Sequence, residues 1–124
     1  ENRKGDTPLL KACESNNENI IKYLVAKGAD INKENKNNEI PLFKACESNN
    51  KNIVKYLIEE GADIDKENYY GETPLYKECE RGNETMIKYL IELGANINKE
   101  NKYGETPLFN ACYYGHENIV KYLI

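Results

Sequence analysis

The sequence predicts an all-α solenoid of antiparallel helix pairs with projecting turns or hairpins, and three observations carry that reading. Pro8, Pro41, Pro74 and Pro107 recur every 33 residues. Cys13, Cys46, Cys79 and Cys112 keep the same step, as do Tyr23, Tyr56, Tyr89 and Tyr122, with no insertion or deletion. Each period also holds two short apolar stripes at helical spacing, the second followed by Gly28, Gly61 or Gly94 in the first three units. A strict period of this size marks stacked supersecondary units, none of which buries a core alone. Residues 1–124 read as a single array, with repeats at about 1–33, 34–66, 67–99 and 100–124.

The first repeat shows how each element arises. Thr7 caps a helix whose first turn takes Pro8 without losing a needed N–H. Leu9, Ala12 and Cys13 form the apolar stripe of that helix. Asn16 ends it in the left-handed conformation, a slot that Gly82 and Gly115 fill later. Asn17 caps the second helix, as Asn50 and Asn83 do in the next two repeats. Ile20, Ile21, Leu24 and Val25 give that helix a broad buried face, and Gly28 ends it. A turn or hairpin then carries the chain back, with Ile31, Ile64 and Ile97 as apolar anchors.

Bulk composition narrows the function classes. A net charge of −4 argues against a dedicated nucleic-acid binder, which shows a basic stripe. No apolar run approaches the roughly 18 residues of a membrane-spanning helix. The chain begins without Met and shows no signal-peptide pattern, and neither terminal repeat has a polar outer face. It therefore reads as a segment of a longer array.

The strings GDTPL, GETPL, KAC, KYL and GAD, repeated in register, resemble the ankyrin repeat over essentially all of residues 1–124. Some positions depart from that pattern. Leu10, Phe43, Tyr76 and Phe109 stand where a His usually follows T-P-L. Ile40 replaces the capping Thr and Asn38 the Gly in repeat two, so Ile40→Thr is expected to stabilise by up to about 1 kcal/mol. Glu78 takes the slot held elsewhere by Ala12, Ala45 and Ala111. It either snorkels to solvent, with Arg81 at i+3 as a pairing partner, or makes a polar contact to a bound protein.

No catalytic constellation emerges, so an enzyme is not expected, nor is a cofactor or a metal. The four cysteines are too far apart in sequence for a zinc site and too far apart across stacked helices for a disulfide. All four are expected to be reduced and buried, which favours an intracellular, cytoplasmic setting. His116 is the sole histidine and has no nearby nucleophile. Asn83-Glu84-Thr85 matches a glycosylation sequon, but Asn83 is expected to cap a helix.

The resemblance implies a protein-interaction module, monomeric, that binds a partner protein on its concave face. That face consists of turn tips and the exposed side of the first helices. In repeats one and two these positions carry Arg3, Lys4, Lys36, Asn37, Lys11, Glu14, Ser15, Lys44, Glu47 and Ser48. In repeats three and four they carry Tyr69, Tyr70, Lys102 and Tyr103 at the tips, and Lys77, Glu80, Arg81, Asn110, Tyr113 and Tyr114 on the helices. Tyr is enriched at interfaces. The partner-binding set is therefore Tyr69, Tyr70, Lys77, Arg81, Lys102, Tyr103, Tyr113 and Tyr114, suited to a segment with acidic and apolar residues. The competing reading of the tyrosines is scatter from A/T-rich coding. The alternative functions are a spacer or scaffold beside an enzymatic or targeting domain outside this segment, and small-molecule or nucleotide recognition on the aromatic face.

Overall fold

The computed structural model describes residues 3–124. Among them it has eight helices and no strand. The helices are α1 (Pro8–Glu14), α2 (Glu18–Ala26), α3 (Pro41–Glu47), α4 (Lys51–Glu59), α5 (Pro74–Arg81), α6 (Glu84–Glu92), α7 (Pro107–Tyr113) and α8 (Glu117–Leu123). The return segments are turns rather than hairpins. The chain divides into two compact units, the first running to Asp63 with α1–α4, the second from Ile64 to Ile124 with α5–α8.

Caps set the helix starts. Thr7, Thr73 and Thr106 accept the N–H of Leu10, Tyr76 and Phe109 at 3.2, 3.2 and 3.3 Å. Asn17, Asn50 and Asn83 do the same for Ile20, Ile53 and Met86. Each cap satisfies an amide that the first helical turn otherwise leaves without a partner. Ile40 makes no such bond; the Phe43 N–H donates instead to the Ile40 carbonyl at 3.0 Å. Asn16 ends its helix at φ 59°, as the sequence predicts, and Asn49, Gly82 and Gly115 take that slot at 57°, 77° and 71°.

In the first unit α3 packs on α1, and in the second α7 packs on α5. Leu9, Leu10, Ile21, Leu42, Ile53 and Leu57 form the core of the first unit. Leu75, Met86, Ile87 and Leu90 are fully buried in the second. Each such side chain contributes about 1.5–3 kcal/mol when removed from water.

Several burial expectations are corrected. Ile20 is exposed, although the same slot is closed in Ile53, Met86 and Ile119. Cys112 is exposed while the other three cysteines are buried. The reason is visible in the first unit, where α3 lies over α1 and Ser48 Oγ donates to the Cys13 carbonyl. Among the described residues, α7 has no later first helix packed on it as α3 packs on α1. The periodic Tyr23 and Tyr122 are exposed, with the Lys27 and Lys88 ammoniums 5.6 and 5.3 Å from their ring centres.

Glu78 does not snorkel. It is 1% exposed and its carboxylate is held by the Arg81 guanidinium. A charge this buried needs such a partner.

Candidate functional site

The turn tips are built by one device, repeated three times. Asn35, Asn68 and Asn101 each accept two backbone N–H bonds on Oδ1, from the residues two and four positions on, at 2.9–3.0 Å. Each also donates through Nδ2 to the side chain of the Glu four positions on: Glu39, Glu72 and Glu105. Tips within a unit are tied by backbone bonds, Lys36 N–H to Lys4 O at 2.8 Å and Lys102 N–H to Tyr70 O at 3.0 Å. The second tie brings the chains so close that Gly71 has no room for a side chain; a Cβ there would lie 2.8 Å from Lys102 N. Gly71 also sits at φ 76°, so glycine is required twice over.

These tips and the first helices of the second unit enclose an open groove of about 530 Å³. The tips contribute Tyr70, Asn101, Tyr103 and Glu105. Helix α5 and the residue two before it contribute Glu72, Tyr76, Lys77 and Glu80, and α7 with its C-cap contributes Phe109, Asn110, Tyr113 and Tyr114. Asn110 fastens α7 to α5 by donating to the Tyr76 carbonyl at 3.3 Å.

Polar contacts fix the floor. Asn101 Nδ2 donates to Tyr76 Oη at 3.1 Å, and Tyr76 Oη donates to Glu105 Oε1 at 3.4 Å. Tyr76 is buried, which, with Glu105, Glu72 and Glu80, pushes its phenol up to about 12. On one wall Lys77 Nζ sits 3.1 Å from Glu80 and 3.7 Å from Glu72. Tyr114 Oη donates to Glu80 Oε1 at 3.3 Å, and the Glu80 charge beside it raises that phenol's pKa. The rings of Tyr113 and Tyr114 meet edge to face, centroids 5.0 Å apart. His116 stacks beside Tyr114 and places Nε2 3.1 Å from the Glu80 carbonyl, over Gly82. It serves as a strut; no nucleophile stands in these contacts.

Of the eight residues singled out from sequence, Tyr70, Lys77, Tyr103, Tyr113 and Tyr114 line this one groove. Tyr69 and Lys102 form a separate pair beside it. The Lys102 ammonium lies 3.9 Å from the Tyr69 ring centre, and Tyr69 meets Tyr70 edge to face at 5.4 Å. Arg81 is not in the lining; its guanidinium is held by Glu78. The sequence reading missed Glu72, Tyr76, Asn101, Glu105 and Phe109 as lining residues. The signal for Glu72, Asn101 and Glu105 was present, since the string Lys-Glu-Asn recurs at residues 33–35, 66–68 and 99–101, each followed by Glu four positions after the Asn.

The family described as Ankyrin repeats (3 copies) matches residues 1–68 and again residues 60–124. The chain belongs to the ankyrin-repeat family. No match was found among curated proteins. Ankyrin repeats are generally protein–protein interaction modules and typically not enzymes. In this ankyrin chain the described residues hold no group of His, Cys, Asp and Glu placed to bind a metal. No helix among them is long and apolar enough to cross a membrane.

Proposed function

We propose that the chain is a protein-interaction module that holds a partner protein against the turn tips and first helices of its second unit. The observation that carries this is the concentration of exposed aromatic rings in one groove. Tyr103 and Tyr113 are each 74% exposed, and Tyr70, Tyr114 and Phe109 are about half exposed beside them. Rigid aromatic side chains of this kind anchor interfaces at low entropic cost. The first unit offers nothing similar. Two repeats earlier, Lys4, Asn37, Glu47 and Ser48 stand where Tyr70, Tyr103, Tyr113 and Tyr114 stand in the second. The chain acts as a monomer inside the cell, a setting that suits its four free thiols.

The test compares two alanine variants for capture of a protein partner from cell extract. One truncates Tyr70, Tyr103, Tyr113 and Tyr114; the other truncates Lys4, Asn37, Glu47 and Ser48. The tyrosine variant should lose the captured protein, with at least about 2 kcal/mol lost at a central anchor. Equal losses from both variants, or loss from the first-unit variant alone, would refute this docking face. Capture unaffected by either would refute it too, and no capture by the unaltered chain would favour a spacer role.

A further inference from the structure

The groove carries a charge pattern opposite to the one its sequence suggests. Its lining has three carboxylates, Glu72, Glu80 and Glu105, against one ammonium, Lys77. Lys77 is engaged within the groove, between Glu80 and Glu72. The other two cations expected to line it are held elsewhere, Arg81 by Glu78 and Lys102 over Tyr69. What faces solvent is a negative lining beneath four exposed tyrosine rings. Ring faces are themselves the negative part of an aromatic quadrupole. The raised phenols of Tyr76 and Tyr114 register the same field, since the groove's glutamates contribute to both.

With the groove taken as the docking face proposed above, we infer that its partner is a peptide segment that inserts a cationic side chain, arginine or lysine, among Tyr70, Tyr103, Tyr113 and Tyr114. An acidic side chain would meet three carboxylates. A purely apolar one would cover half-buried carboxylates without bringing a counter-charge, which costs desolvation with no return. A cation meets ring faces and carboxylates together, the ring contact being effective within about 6 Å of a centroid. Arginine suits the site better than lysine. Its planar guanidinium stacks on a ring while presenting paired N–H donors to a carboxylate. The chain already makes such contacts internally, with lysine ammoniums 3.9–5.7 Å from the rings of Tyr69, Tyr122, Tyr23 and Tyr56.

The experiment pans a random peptide library on the full 124-residue chain, with Tyr103→Ala/Tyr113→Ala as counter-target. Both residues project into solvent, and circular dichroism verifies that the variant keeps its helices. Peptides that require the two tyrosines should carry Arg or Lys. Changing Glu72 and Glu105 together to Gln should weaken the best peptide by about tenfold, the size of one charge-assisted contact. Gln keeps the oxygen that accepts from Asn68 and Asn101, so the turns stay closed. Tyrosine-dependent peptides rich in Asp or Glu would overturn the cation inference and leave the docking face standing. So would apolar peptides indifferent to the Gln change. Selection that yields no tyrosine-dependent peptide would overturn the inference and the docking face together.

Discussion

Asn101 is the residue on which the groove's most exposed tip depends. Its Oδ1 accepts the N–H of Tyr103 and of Glu105, both at 2.9 Å. Its Nδ2 donates to Glu105 Oε1 at 2.9 Å and to Tyr76 Oη at 3.1 Å. Asn101→Ala removes all four bonds. At about 1 kcal/mol net for each, the upper bound is about 4 kcal/mol. Glu105 is half-buried and recovers water, and the backbone bond from Asn101 N–H to Glu105 O survives. The expected loss is therefore about 2–3 kcal/mol. Asn101→Asp separates the two halves of the side chain. The carboxylate keeps the Oδ1 bonds but sets a negative charge against Glu105. Two carboxylates so close raise the folded-state pKa of the pair above its unfolded value. The variant is then nearest to wild type below the unfolded carboxylate pKa of about 4 and loses stability as pH rises through the raised folded value. Urea unfolding followed by circular dichroism measures both, with the exposed Asn98→Ala as control, expected within about 0.5 kcal/mol of wild type. If Asn101→Ala costs no more than Asn98→Ala, the backbone alone closes the tip and the reasoning fails.

Two further outcomes follow from burial. Ile40→Thr should destabilise by about 1 kcal/mol, reversing the sequence expectation. Ile40 is 0% exposed, and the Phe43 N–H that a Thr would cap already bonds the Ile40 carbonyl. The substitution gives up about two buried carbon groups at about 0.8 kcal/mol each for a cap worth less than usual. A stabilised variant in urea unfolding would show that the cap wins. Cys112 should react with a thiol reagent at about pH 8 without denaturant, while Cys13, Cys46 and Cys79 stay slow; burial pushes the Cys13 and Cys79 thiols up to about 12, leaving little thiolate. Fast labelling of any of those three would contradict the packing of the first helices.

The scaffold was legible because it is written three or four times. Thr7, Thr73 and Thr106 repeat one cap, Asn17, Asn50 and Asn83 another, and each sits at a helix start in the structure. The site was legible only in part. Exposed tyrosines can be counted from a sequence, but which charges remain available cannot. Lys77, Arg81 and Lys102 read as a basic rim, yet each is engaged by a neighbour one turn or one repeat away. Glu72 and Glu105 help close the turns through Asn68 and Asn101, and their carboxylates also face the groove. Burial at the outermost slots was misread for a related reason. The periodic pattern marks Ile20 and Cys112 as equivalent to their buried counterparts, but burial comes from the adjoining repeat, not from the residue's own helix.

One structural rule connects the scaffold to the site. Asn37, Tyr70 and Tyr103 occupy the same place in successive tips, and in each the backbone N–H donates to the preceding Asn at 2.9 Å. The fold therefore uses the backbone at this position and leaves the side chain projecting. Tyr113 and Tyr114 are similar: they end α7, and the Tyr114 N–H closes the helix on the Asn110 carbonyl at 3.1 Å. Their counterparts in the first two repeats are Glu14, Ser15, Glu47 and Ser48. The buried Asn and its Glu recur in three tips with nearly the same geometry. Side chains can change at the former positions without disturbing the latter, and the second unit has placed tyrosine at four of them. The aromatic groove is thus compatible with an unchanged scaffold, which is why these four tyrosines are suited to truncation by alanine while the helices stay intact.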